Sequence, residues 1–429
     1  MKRQKFFDAT VYRLFLGVAL AFLTSCASLA QEKLEPKKVA DYEYRGIKVE
    51  RFEHKTLPDW GAKNPEQVDY FYVAEPKDGP AEGRPLYVAL HSAGGSGEEE
   101  FEWRKANPDV HNIYAIPEGF YGMFPDCGGN RETDWWYGGR PAPNKEITPE
   151  YAEKATSELL PVEKRILAEI AWVVETYKID PNRVYLCGNS MGGSGTLGIG
   201  MRNGDVFAAI KANVPAGIWH AYDRLQLGEE DAPKGMPDPP VCLDYSAPND
   251  QWSDYHEFLF DGVEKRKYSY IAYWGNFGHE NRDEKVAAVN DLFNTFDWLS
   301  VRKDEAYPVF TSASTDDPCP WPEKSSDAPP GQRGAYFRWT NKVDSPDRFE
   351  IELRLATNDE LKSTIFEIPT ESSADVSLRR LQKFGVSPGE TVAWTFGDRS
   401  GEVQADKNGL VTIPSLTITS VPQILTLTR

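Results

Sequence analysis

The sequence predicts an α/β protein: a mostly parallel sheet covered by helices on both faces, joined to a C-terminal all-β, sandwich-like domain. Three observations predict it. Between Pro85 and Lys303, short runs that are apolar throughout, such as PLYVAL, VYLCG and PVCLDY, alternate with helical stretches. Strands buried on both faces of a parallel sheet read this way. Beyond Tyr307 no long helical pattern remains, and short β-type runs stand between Gly, Pro, Asp and Asn turns. The chain of 429 residues also exceeds what one ordinary domain needs.

Taken in order, residues 1–30 read as an export signal. Lys2, Arg3, Lys5 and Arg13 precede LFLGVALAFL, an apolar core too short to span a bilayer. Two exits are open: cleavage after Ala30, or a lipobox-like LTSC that would place a lipid on Cys26. Either exit implies an exported protein, with a membrane partner only through a Cys26 anchor. Residues 31–40 read as a polar tether, 41–305 as the α/β domain and 306–429 as the sandwich. IKVERF and VDYFYVAEP read as extended segments, PLYVAL and HNIYAIPEG as strands, and Phe120 to Tyr151 as an aromatic loop. Glu158 to Tyr177 has helical periodicity, with Pro161 in the first turn, where its missing N–H costs little. RVYLCGNS, AIKANVPAG, PVCLDYSAPND and YSYIAYWGNFGHE follow as strands with turns, and DEKVAAVNDLFNTFDWLSVRK as an amphipathic helix. Beyond these, AYFRWT, RFEIELRLA, TVAWTF, GLVTIPSL and QILTLTR supply the strands of the sandwich. TDDPCPWPEKSSDAPPGQ reads as a bracing or linking loop.

The formal net charge of −18 makes nucleic acid and anionic membrane surfaces poor partners. The cysteines after Cys26 (Cys127, Cys187, Cys242 and Cys319) lack CxxC spacing, so no zinc site is expected. Cys187 and Cys242 read as buried thiols. Export would permit a Cys127–Cys319 bridge, a pairing the sequence leaves open.

The chemistry centres on Gly188-Asn189-Ser190-Met191-Gly192. A serine pushed out over a sheet edge needs a very sharp strand-to-helix turn, and glycines two before and two after it relieve the crowding. A base must follow, and His279 lies just after the last strand of the sheet, with Gly278 free to shape its turn. His91 precedes the serine and fits better as scaffolding for an oxyanion loop. The acid is expected between serine and histidine. Asp250 follows the VCLDYS strand, with a turn- or helix-capping role as its competing explanation. Asp254 is the alternative, Asp244 lies inside the strand, and Glu280 adjoins the histidine. Oxyanion donors are expected from the amide of Met191 and from the LHSAGGSG loop, at Ala93 or next at Ser92.

The motifs LHSAGG, GNSMGG, PND and GHE, in this order, resemble those of an α/β-hydrolase. Within that superfamily the chain is most similar to the esterase and polyhydroxybutyrate-depolymerase-like group, which includes secreted feruloyl and acetylxylan esterases and predicted serine peptidases. IDPNRVYLCGNSMGGSGTL carries most of the likeness, which runs from Tyr42 to Lys303. It implies a Ser190, Asp250, His279 triad and hydrolysis through an acyl-enzyme, with no cofactor or metal. Two positions depart from the group's pattern: Ser92 replaces the usual glycine after the histidine, and Asn189 stands where His, Tyr or Leu is more familiar.

Trp135, Trp136 and Tyr137 fall where strands end, and Trp252 near another strand end. Aromatic faces beside acids suit a sugar ring or a phenolic acyl group, although each could equally pack in the core. The leading expectation is therefore an exported ester hydrolase acting on small acyl esters or on an acylated polysaccharide. A serine peptidase of the same fold, and a surface-binding protein with a vestigial site, are the alternatives.

Overall fold

The computed structural model describes residues 34–44, 46–61, 64–100, 113–127, 136, 158–280, 286, 291–323, 327–361 and 365–429. The signal segment with Cys26, and the rim residues Trp135 and Tyr137, lie outside the described residues. The chain up to Glu35 is a unit of its own, and Pro36–Arg429 is one compact unit, described below.

Among the described residues, ten strands form the large sheet. They are β1 (Lys37–Tyr44), β2 (Ile47–Lys55), β3 (Val68–Ala74), β4 (Leu86–Leu90), β5 (Tyr121–Pro125), β6 (Val184–Asn189), β7 (Ala209–Asn213), β8 (Val241–Ser246), β9 (Tyr270–Trp274) and, further on in the chain, Gly331–Arg333. Their order is β1-β2-β3-β5-β4-β6-β7-β8-β9, closed by Gly331–Arg333. The run β5-β4-β6-β7-β8-β9 is parallel, and the pairings outside it are antiparallel. Strands β4, β5, β7, β8 and β9 are buried at every residue, as apolar runs without alternation require.

The helix α1 (Pro161–Tyr177) has Pro161 at its start, as expected, and an amide–Glu163 bond closes its first turn. Its Val162, Ile166 and Ile170 pack with Leu86, Val88 and Leu186 on one face of the sheet. On the other face, Tyr87, Tyr185, Leu243 and Tyr273 belong to a cluster that runs on into Phe349, Ile351, Val392 and Leu425 of the C-terminal strands. The sandwich thus shares a core with the sheet.

Three parts of the sequence reading change. The segment taken as a tether through Ala40 already pairs from Lys37, where β1 lies along β2 and Lys38 reaches Asp41 and Glu50. An edge strand can carry such charges, so its polarity hid it. The strand expected in HNIYAIPEG lies a few residues later, at β5. A turn in which Phe120 N–H donates to the Pro117 carbonyl delays it. At the end of the Pro-rich segment, Gly331–Arg333 pairs with β9 as the outer strand of the large sheet. The final helical pattern of the α/β part falls partly outside the described residues. Cys127, Cys187, Cys242 and Cys319 are free thiols, so the Cys127–Cys319 bridge is not formed.

In the sandwich, β10 (Tyr307–Thr311) precedes Gly331–Arg333, which is β11. Then come β12 (Phe337–Asp344), β13 (Arg348–Leu355), β14 (Glu371–Arg379), β15 (Thr391–Phe396), β16 (Arg399–Gln404), β17 (Val411–Thr419) and β18 (Gln423–Thr428). All but β11, which belongs to the large sheet, form sheets in the orders β10-β14-β17 and β12-β13-β18-β15-β16. Just beyond β14, Arg380 pins the sandwich to the turn before β7. Its guanidinium donates to the carbonyls of Gly204 at 2.7 Å, Phe207 at 2.9 Å and Ala208 at 3.1 Å. Replacement by methionine leaves these acceptors without a donor. We expect Arg380→Met to cost about 3 kcal/mol of stability in urea denaturation. A loss below about 0.5 kcal/mol, the range of ordinary surface changes, would contradict this.

Candidate active site

Ser190 stands between β6 and a short helix, α2 (Met191–Gly195), with φ 58° and ψ −116°. A side-chain-bearing residue rarely adopts this conformation, and it costs of order 1–3 kcal/mol. The surroundings impose it. Ser190 N–H donates to the Asn213 carbonyl at 3.0 Å, and its own carbonyl accepts from Ser194 at 3.0 Å and Ala216 at 3.1 Å. The flanking glycines are required by contact. A Cβ on Gly188 would lie 2.3 Å from the Gly192 carbonyl oxygen, and one on Gly192 would lie 2.0 Å from that of Leu90. Since backbone cannot swing aside as a side chain can, Gly192→Ala should lower stability by about 3 kcal/mol or more in chemical denaturation. An unchanged midpoint would show that the turn is looser than this geometry.

His279 is carried by the loop after β9. Gly278, at φ 58°, shapes the loop, and its N–H donates to Asn249 Oδ1 at 2.9 Å. The ring makes two bonds of 2.7 Å, from Nδ1 to Asp250 Oδ2 and from Nε2 to Ser190 Oγ. An ionised carboxylate only accepts, so the proton sits on Nδ1 and Nε2 keeps a lone pair for the Ser190 hydroxyl. Asp250 is 1 % exposed, whereas the His279 side chain is 29 % exposed at the mouth of the site. The buried acid and the open base suit a group that must hold an imidazolium while substrate arrives.

Asp250 also fulfils the capping role that competed for it. Its Oδ1 accepts from Trp252 N–H at 2.9 Å, closing the turn that leaves Oδ2 for the histidine. Asp254 is exposed. Asp244 belongs to a separate buried cluster with Ser246, Tyr270 and His256. The structure thus brings together Ser190, His279 and Asp250 from the three expected strand ends.

The oxyanion-loop segment follows β4. Cys127 N–H donates to His91 Nε2 at 3.1 Å, so His91 carries its proton on Nδ1 and donates it to the Ser92 carbonyl at 2.8 Å. Burial pushes the His91 ring's pKa down and keeps it neutral. A turn over residues 92–95, closed by Gly95 N–H to the Ser92 carbonyl at 3.1 Å, leaves Ala93 exposed. The Met191 N–H opens α2, where a helix end favours negative charge. Among the described residues, neither the Ala93 nor the Met191 amide donates a hydrogen bond within the chain.

Trp136 is a correction. Expected at the substrate rim, it is fully buried, with its Nε1–H donating to the His91 carbonyl at 2.8 Å. The Trp136 side chain fills the space where a side chain on Gly195 would be, its Cβ 2.4 Å and its indole Cγ 2.9 Å from that missing Cβ. It supports the loop from behind. Trp252 is 40 % exposed beside Asp250, where a rim residue was expected. Further along, Tyr255 and Phe258 are exposed rings 5.6 Å apart, and Tyr222 meets Phe258 at 6.0 Å. Sequence reasoning passed over these. For Tyr255 and Phe258 the signal was their spacing of three from Trp252 in a polar stretch. Asn249, which holds the histidine loop, lies inside the PND motif without having been given a role, and Asn213, which holds the serine turn, had no signal beyond lying at a strand end.

No protein-family model matches the chain, and no curated protein matches it in sequence. Solved structures do resemble it. An S-formylglutathione hydrolase from Agrobacterium tumefaciens is 15% identical, with 57% of this chain and 92% of that one covered at a TM-score of 0.38. A ferulic acid esterase from Anaeromyces mucronatus is 19% identical, covering 59% and 87% at 0.36. An acetyl xylan esterase from Paenibacillus sp. R4 is 14% identical, covering 65% and 92% at 0.37. In its own strand order and its sharp serine turn over the sheet's carboxyl edge, the chain has the fold of an α/β-hydrolase.

Proposed function

We propose that the protein is an exported serine hydrolase that cleaves carboxylic esters through an acyl-enzyme, acting on carbohydrate-linked acyl groups of acetyl or feruloyl type. The observation that carries this reading is the unbroken hydrogen-bond chain from Ser190 Oγ through His279 to buried Asp250. As Ser190 Oγ attacks the ester carbonyl, its proton passes to His279 Nε2. Asp250 holds the resulting imidazolium. The Met191 and Ala93 amides receive the oxyanion. Collapse of the tetrahedral intermediate breaks the bond to the alcohol oxygen, which takes the proton from His279. Water then repeats the sequence, giving the free acid and restoring Ser190. No step draws on a metal or cofactor.

The substrate class rests on the exposed rings of Trp252, Tyr255 and Phe258 beside the acid's turn. Their faces suit the apolar faces of sugar rings, and the net charge of −18 disfavours polyanions. Export, with or without a lipid on Cys26, rests on the N-terminal sequence. A panel of acetylated xylan, feruloylated oligosaccharide, aryl acetate and peptide substrates, with Ser190→Ala as control, tests the reading. Ester turnover that the control abolishes supports it, and peptide cleavage without ester turnover would replace it with a peptidase.

A further inference from the structure

The two positions that depart from the resembled esterases touch each other. Ser92 Oγ donates to the Asn189 carbonyl at 3.1 Å and accepts from Asn189 Nδ2 at 3.2 Å. The Tyr114 hydroxyl lies 3.1 Å from the same oxygen. A serine hydroxyl has one proton and two lone pairs. The proton is given to the Asn189 carbonyl, so the Ser92 side chain has none left to offer an oxyanion. Its place is next to Ala93 in the loop, and its partner immediately precedes Ser190. The turn needs such a tie, because Ala93 and Gly94 are both exposed and Gly94 sits at φ 82°. From behind, Tyr114 is buried and its hydroxyl also reaches the Leu90 carbonyl at 3.4 Å.

We propose that Ser92 and Asn189 are a coupled pair of positioning residues, which lock the 92–95 turn to the nucleophile turn so that the Ala93 and Met191 amides address one oxygen. The proposal rests on the reading of Ser190 as nucleophile. It assigns the second oxyanion donor to the Ala93 amide and gives the Ser92 side chain a positioning role. A donor that drifts from the oxyanion position is lost chiefly to the transition state, so the effect falls on kcat rather than KM.

The test measures the rate of Ser190 phosphonylation by a small fluorophosphonate, with kcat and KM on an aryl acetate. The proteins are the parent, Ser92→Ala, Asn189→Ala, their double variant and Ser92→Thr, with Asn189→Leu in reserve should the alanine variant fold poorly. Each single change should slow phosphonylation and kcat about 10-fold with KM within about twofold, and the double variant should be no slower than the slower single one. Ser92→Thr, which keeps the hydroxyl, should recover most of the rate. Losses that multiply in the double variant, or single variants at the parent rate, would overturn the pairing while leaving Ser190 labelled. A parent protein that takes no label at Ser190 would overturn the functional reading and this proposal with it.

Discussion

Ser190→Ala should lower kcat/KM for an aryl acetate by about 10⁵-fold or more without unfolding the protein. The hydroxyl is the one atom that both touches His279 Nε2 and stands at the head of α2. Without it, the remaining parts can only bind substrate and polarise the carbonyl. The alanine variant still carries a side chain at φ 58°, so its stability should stay close to that of the parent. Ser190→Gly should be equally inactive but more stable by about 1 kcal/mol, because glycine relieves the positive φ. Inactivity with gained stability is the mark of a strained nucleophile, and a merely structural serine would show the reverse. Equal stability of the glycine and parent proteins in urea titrations would indicate that the turn is not strained.

Asp250→Asn should reduce kcat by about 10⁴-fold. The amide oxygen can still take the Trp252 N–H that Oδ1 now accepts, so the turn survives. The amide nitrogen then faces His279 Nδ1 as a donor. That moves the imidazole proton to Nε2 and leaves no lone pair for Ser190. Asp254→Asn, an exposed change at the alternative position, should leave kcat within about twofold. Equal losses at both positions would mean that overall negative charge, rather than the bond between Asp250 and His279, supports the histidine.

Much of this site was legible because its signals are local. Gly188 and Gly192 declare a turn too tight for side chains, and Gly278 marks the loop that presents His279. Asp250 was legible by its place after β8, and its two roles looked like rivals only because a one-dimensional reading cannot show that one oxygen caps while the other pairs. What depended on tertiary contact was not legible. Trp136 looks like its neighbours Trp135 and Tyr137, and only the space beside Gly195 decides that it is buried. In β1 and β14 the polar residues of KKVADYEY and ESSADVSLR hide strands that pairing makes evident. Gly331–Arg333 is too short to show a pattern, and its strand character comes from lying along β9. That two unusual residues, Ser92 and Asn189, meet could be learned only from the loop's approach to β6.

Trapping the acyl-enzyme would test the central claim most directly. The protein is mixed with a slowly deacylating aryl ester, quenched in acid, digested and mapped by mass spectrometry. The account predicts one acyl group, carried on the peptide containing Ser190 and absent from the His279→Ala protein. Ester turnover with no covalent intermediate, or an acyl group fixed at another side chain, would contradict it.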